Sequence, residues 1–172
     1  MKALFLWLLW MPLVAFAAPP VMVVWPFEEV TFLPDRLDHG KLGGLAQEVI
    51  TATLMQDGRL EVVERERLDR ILEELNLNCS GLAARDACQQ VGKIVGADKM
   101  VFGEYLRLPD GRTRVLVRIV DVETSLVDAG LEATVSGGAD PYAVLTRLGC
   151  EIAARLRKRN GPACPAGPSE AR

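Results

Sequence analysis

Residues 21–27, Val-Met-Val-Val-Trp-Pro-Phe, are apolar at both alternating parities. Successive side chains of a β-strand point to opposite faces of its sheet, so a run apolar at both parities has no face to give to water. Such a strand belongs in the middle of a sheet, with helices packed on it. Pro26 lacks a backbone N–H and ends regular pairing at that point. The stretch therefore demands neighbouring strands and apolar helices to cover them.

The rest of the chain supplies both. In residues 40–56, Leu42, Leu45, Ala46, Val49, Ile50, Thr53 and Leu54 recur at helical spacing, and Asp57-Gly58 stops the run. Residues 60–63 read as a strand and pass directly into a helix whose Leu68, Ile71, Leu72 and Leu75 form one stripe. Arg65 falls in that helix's first turn, where the macrodipole disfavours a cation. A structural ion pair with Glu74, Asp98 or Asp121 is the expectation for it. A third helix is expected over residues 83–95, with Ala84, Ala87, Cys88, Val91, Ile94 and Val95 facing in. Residues 99–108 and 113–123 read as two strands around a Pro109-Asp110-Gly111-Arg112 turn. Thr124-Ser125 is a second tight turn, and residues 127–135 then alternate as a strand with one wet face. Asp140 and Pro141 start a last helix, as N-cap and first helical residue, that runs to about residue 160. The order β-α-β-α-α-β-β-β-α predicts a single α/β domain, a mixed sheet of roughly five strands with helices packed on it.

The flanks carry addresses rather than fold. Lys2 precedes a nearly continuous apolar run over residues 3–16, and Ala15-Phe16-Ala17 forms an A-x-A cleavage site before Ala18. Residues 1–17 are expected to be a cleaved export signal, residues 18–160 the domain, and residues 161–172, rich in Pro, Gly and Ala, a disordered tail. The apolar run is shorter than the about 20 residues that a membrane span needs, and no later segment reaches that length. No cysteine follows the run in the manner of a lipid-anchored protein. The expectation is a soluble periplasmic protein without a membrane span. The formal charge of −3 argues against nucleic acid as a partner.

Four cysteines in an exported chain make disulfides available. Cys79 and Cys88 flank a short loop and are the first expected pair. Cys88 also lies on the apolar face of its helix, where a buried thiol would serve equally well. Cys150 lies off the stripe of its helix, and Cys164 in the tail is a weaker second partner.

No catalytic constellation emerges. His39 is the single histidine and sits beside Asp38 in a polar loop. There is no G-x-S-x-G nucleophile signal, and Cys79-x8-Cys88 lacks zinc spacing. The Gly40-Lys41-Leu42-Gly43-Gly44 run does not fit a phosphate loop. Glu28-Glu29 and Glu73-Glu74 are sequence neighbours whose side chains diverge, a poor acid/base pair. No enzyme activity, metal or cofactor is expected.

Several segments nevertheless share an order with a known family. They are Val23-Val24-Trp25-Pro26-Phe27-Glu28, the helix from Leu45 to Leu54, and Glu61-Val62-Val63-Glu64-Arg65 with Leu68, Ile71, Leu72 and Glu74. They continue with Val91-Gly92-Lys93 leading to Gly96-Ala97-Asp98, then Val101 and Gly103, and finally Val117-Arg118-Ile119-Val120-Asp121-Val122. Over residues 21–136 the chain resembles the CsgG-like family: the curli secretion channel, FlgO-like flagellar proteins, the penicillin-binding-protein activator LpoB and the N-terminal domain of TolB. The resemblance implies a non-enzymatic module that contacts other envelope proteins, with Glu64, Arg65, Glu74, Gly96, Asp98 and Gly103 as structural motif residues. It implies partners in an outer-membrane, secretion or peptidoglycan-synthesis system and is compatible with a homo-oligomer. An LpoB-like activator of a peptidoglycan synthase is the alternative, and a periplasmic enzyme or small-ligand binder the least favoured reading. The chain departs from the family pattern in lacking a lipobox cysteine, room for membrane hairpins and a long tether. Ser125 also stands where the family carries Gly.

Overall fold

The computed structural model describes residues 18–30, 40–77, 79 and 85–157. The export signal with Ala17, the loop with His39, Cys164 and residues 161–172 lie outside the described residues. The elements are β1 (Val21–Val24), β2 (Glu28–Glu29), α1 (Gly40–Gln56), β3 (Glu61–Val62), α2 (Arg65–Glu74), α3 (Arg85–Ile94), β4 (Lys99–Arg107), β5 (Thr113–Asp121), β6 (Val127–Val135) and α4 (Pro141–Leu156). They form an open six-stranded sheet in the order β3-β1-β4-β5-β6, with β2 also paired to β4. Pairing is parallel from β3 through β1 and β2 to β4, and antiparallel from β4 to β6. The α/β class is as the sequence implies. The extra strand is β2, which the sequence presents only as the start of a loop.

β2 exists because of what happens at Pro26. Val24 lies opposite Val101, but Glu28 lies opposite Glu104, so the first strand carries one more residue than its partner. Trp25 N donates to Val101 O at 2.9 Å and Val30 N to Tyr105 O at 2.9 Å, which brackets the irregularity. A strand with an extra residue changes which face its side chains meet. Trp25 stays with Val23 on one side of the sheet, whereas Phe27 crosses to the side of Met22 and Val24. This is how a run apolar at both parities is used: it feeds two separate cores.

The first core lies under α1 and α4. It contains Met22, Val24, Phe27, Ile50, Leu54, Val101, Val117, Ile119, Leu145 and Ile152, all buried. The helices approach closely where Gly149 meets Thr53, whose Cβ would lie 2.9 Å from an added methyl. Asp140 Oδ1 accepts from Tyr142 N at 3.0 Å and starts α4 as expected. The second core lies under α2 and α3 and joins Val23, Trp25, Val63, Leu68, Cys88, Val91, Met100 and Val122. These two helices pack over β1, β4 and Val122, leaving the β5–β6 end of this sheet face open. Leu126 and Val127 there are 67% and 58% exposed.

The β5–β6 turn is built on Asp121. Its carboxylate accepts from Lys99 Nζ at 2.6 Å and from Thr124 N and Oγ1 at 2.7 and 2.8 Å. The Lys99 ammonium, joined by the Thr124 donors, holds the Asp121 carboxyl far below the usual carboxylate range. Lys99 also reaches Asp128 at 2.6 Å, at the residue where β6 bulges. Ser125, standing where a Gly was expected, has φ +61°. A Cβ in the left-handed region costs about 1–2 kcal/mol. Ser125→Gly is therefore expected to stabilise the chain by about 1 kcal/mol, since the glycine's entropy cost in the unfolded state offsets part of that gain. A urea midpoint that does not rise would show that the serine side chain compensates.

Candidate functional site

The open end of the α2/α3 face holds a cavity of about 190 Å³. Trp25 and Phe102 stack beside it with ring centroids 6.2 Å apart and planes 15° apart. Trp25 is 2% exposed, and its indole N–H has no acceptor. Phe102 is only half buried. Glu104 and Arg118, diagonal to each other across β4 and β5, form an ion pair at the cavity wall. Glu28 and Asp86 bring further carboxylates to the lining. Gln89 is committed elsewhere, its Nε2 donating to Val122 O at 2.9 Å.

Cys79 and Cys88 also line this cavity. Both are free thiols, so the bridge expected between them is not closed in this structure. Cys88 Sγ donates to Cys79 O at 3.4 Å. The thiols also hydrogen-bond each other, which lowers the pKa of Cys79 and, with burial, raises that of Cys88. A thiol with a lowered pKa beside a second thiol is the arrangement that disulfide exchange requires. Exposure to a disulfide oxidant such as oxidised glutathione is expected to close the pair, with loss of two protons and two electrons. The short loop so closed adds about 2–3 kcal/mol of stability. Peptide mass mapping checks the bond and urea melts check its effect. Cysteines 79 and 88 that stay alkylatable after oxidation would refute it. Cys150 is disulfide-bonded; Cys164, its expected partner, lies outside the described residues.

Of the motif residues, Glu64, Arg65, Glu74, Gly96 and Asp98 lie outside the cavity lining, and Gly103 lies in it. Asp98 Oδ2 accepts from Val21 N at 2.8 Å, and Asp98 N donates to Val21 O at 2.8 Å, which clamps the start of β1 to the strand beside it. Glu64 is the N-cap of α2, without a side-chain cap bond. Gly96 takes φ +72° in the turn before β4. Glu74 is exposed at the end of α2, and Ala18 is exposed before β1. Arg65 corrects the expectation placed on it. Its partner is Asp69, one helical turn on, at 3.5 Å, and the two side chains are 54% and 60% exposed. Such a solvated pair within one helix contributes a few tenths of a kcal/mol. Glu74, Asp98 and Asp121 are not its partners.

Phe27 and Gly103 stand apart in the sequence and meet in the fold. A Cβ on Gly103 would fall 2.2–2.3 Å from three carbons of the Phe27 ring. The Pro-Phe segment and the Val-x-Gly segment are thus the two halves of one packing contact.

No described group of three or more His, Cys, Asp or Glu side chains is placed to hold a metal ion. The cavity residues that sequence reading missed are Trp25, Phe102, Glu104 and Arg118. One signal was available: Arg118 falls between Leu116 and Val120 on one face of its strand.

Residues 37–108 match the family model described as the curli production assembly/transport component CsgG. This segment is similar to that family. Trp25, Pro26 and Phe27 precede the matched segment, and Arg118 and the open β5–β6 face follow it. Among the solved structures that share the fold of this chain are the following three. The LpoB C-terminal domain from Escherichia coli aligns with a TM-score of 0.57 at 18% identity, over 69% of this chain and 84% of that one. The LpoB C-terminal domain from Salmonella enterica aligns at 0.55 and 15%, over 72% and 87%. Lipoprotein GNA1162 from Neisseria meningitidis aligns at 0.54 and 14%, over 81% and 96%. At these identities the likeness is one of fold. No curated protein matches the sequence.

Proposed function

We propose that this chain is a non-catalytic interaction module of the cell envelope, an adaptor or assembly factor that acts in the periplasm by binding a protein partner. The observation that carries the proposal is the half-roofed sheet. One face is closed by α1 and α4, while α2 and α3 leave the β5–β6 end of the other face open, with Leu116, Leu126 and Val127 exposed and Val127 lining the cavity. Exposed apolar residues gathered at one place, beside paired charges, are what a protein interface requires. The amino-terminal signal pattern, the CsgG-like match and the LpoB-type fold support the envelope setting. Among the described residues no helix is long and apolar enough to cross a membrane.

A photo-crosslinking residue placed at Leu116 or Val127 of the full chain, in its native cells, is expected to give discrete protein adducts. The same residue at exposed Glu151 on α4 should give none. Equal capture from all three positions, or none from any, would overturn the proposal. The LpoB-type fold favours a narrower version, activation of a peptidoglycan synthase. Purified protein that leaves synthase rates unchanged would remove that version alone.

A further inference from the structure

The two thiols at the cavity wall are in contact, and they stand there unequally. Cys88 is on α3, 1% exposed and part of the second core. Cys79 is half buried, on the irregular connection between α2 and α3, and packs against the outside of that core. Their side chains hydrogen-bond each other, and Cys88 Sγ also donates to Cys79 O at 3.4 Å. A reagent entering from solvent therefore meets Cys79 before Cys88. A structural bridge has no need of this order; its sulfurs have only to be close. A reachable thiol backed by a sheltered one can attack a disulfide and then be released from it. The other described cysteine, Cys150, is already disulfide-bonded, so the open state is particular to this pair. Beside the thiols, Trp25, Met100, Phe102 and Val127 give the cavity an apolar wall. Its volume of about 190 Å³ is below the roughly 300–1,000 Å³ of pockets that enclose a drug-sized ligand. It suits one apolar side chain next to a cysteine in a polypeptide.

We infer that Cys79 and Cys88 form a thiol–disulfide exchange site whose substrate is a disulfide in an extended polypeptide, with Cys79 the attacking thiol and Cys88 the resolving thiol. Cys79, deprotonated, attacks one sulfur of the substrate disulfide. That S–S bond breaks, one substrate sulfur leaves as thiolate, and a mixed disulfide joins Cys79 to the other. Cys88 then loses its proton and attacks Cys79 Sγ, the mixed disulfide breaks, and the second substrate thiolate leaves. Two electrons pass from the pair to the substrate. The two protons given up by Cys79 and Cys88 balance those taken by the two substrate thiolates, and the pair ends as one disulfide bond. The hydrogen bond between the thiols lowers the pKa of Cys79 and favours the first attack. The same bond, with burial, raises that of Cys88, so the two thiols do not compete for that step. Each reduced chain performs the exchange once. The inference goes beyond the adaptor reading and does not depend on it.

The test uses the full chain, reduced at Cys79 and Cys88, its Cys88→Ala and Cys79→Ala variants, and two probes. One probe is the disulfide-linked dimer of the acetylated tripeptide amide Val-Cys-Val; the other is oxidised glutathione. Intact mass and peptide mapping read the products. Cys88→Ala is expected to accumulate a peptide adduct at Cys79, because nothing resolves it. Cys79→Ala should react about a hundredfold more slowly, its remaining thiol being buried. The unsubstituted chain should pass through the adduct and end with the Cys79–Cys88 bond and both peptides released as thiols. The peptide probe should react about tenfold faster than glutathione, the gain expected from partly burying an apolar side chain. An adduct formed equally fast at Cys88, an adduct that persists in the unsubstituted chain, or no reaction of Cys88→Ala would overturn the inference. Equal rates for the two probes would overturn its polypeptide substrate. Should Cys88→Ala not fold, pulsed alkylation of the unsubstituted chain decides: Cys79 is expected to be labelled first, and equal labelling of both thiols would refute the assigned order. Crosslinking from Val127 is read separately, so the adaptor reading stands or falls on its own result.

Discussion

Gly103→Ala is expected to destabilise the chain by about 3 kcal/mol, the upper part of the range for overpacking a well-filled core. The added methyl would overlap the Phe27 ring, with carbons 2.2–2.3 Å away. The ring has little room to withdraw. It is 6% exposed and packed among Met22, Val24 and Tyr105. The backbone behind it is also held, because a Cβ at Gly43 of α1 would come within 2.5 Å of the Phe27 carbonyl oxygen. Two glycines on two elements thus grip one residue, and the extra residue at Pro26 fixes its position in the chain. Urea unfolding should show a lower midpoint with an unchanged slope. Combining Gly103→Ala with Phe27→Leu should recover part of the loss, because the smaller side chain vacates the volume in dispute. A loss below about 1 kcal/mol for the single variant would show that β4 shifts to absorb the methyl.

Arg157→Met is expected to cost about 3 kcal/mol as well, for an electrostatic reason. Arg157 closes the C-terminal end of α4 and pairs with Asp57, which follows α1, 100 residues earlier. The two side chains are only 14% and 10% exposed. A charge left alone in such surroundings cannot be repaid by water. The pair itself contributes less than its loss suggests, since desolvation of both ions offsets most of their attraction. Asp57→Leu combined with Arg157→Met should therefore restore most of the stability. Thermal melts of the four species give the coupling energy directly. Additive losses would show that the contact stabilises only through the packing of the two stems.

These two variants also mark where the sequence was readable. Local periodicity located α1 at Gly40–Gln56 and the meander to within two residues of its observed bounds, because amphipathic spacing is a property of neighbouring positions. Glu28 and Glu29 read as loop because a two-residue strand has no period; only pairing with Glu104 and Tyr105 defines it. Arg157 carries no local sign of its buried partner, which is remote in sequence. Arg65 was assigned a distant partner when the nearest one lay a turn away at Asp69. The cavity was the least legible part. It draws Trp25 from β1's exit, Cys88 from α3, Phe102 from β4 and Arg118 from β5, and no one segment carries its pattern. The contact between Phe27 and Gly103 was not legible, because it joins two segments that stand apart in the sequence.

The mixed pairing of the sheet also sets an order of events. β4, β5 and β6 are joined by short turns and pair within residues 99–135, whereas β1 meets β4 across a separation of 77 residues. Short loops close first because their entropic cost is smaller. The meander is thus the template, and β1 is the central strand that arrives late. Substitutions at Val117 or Ile119 should slow refolding, while those at Val23 should chiefly hasten unfolding. Stopped-flow measurements on matched Val→Ala and Ile→Val variants would expose the reverse order if β1 docked first.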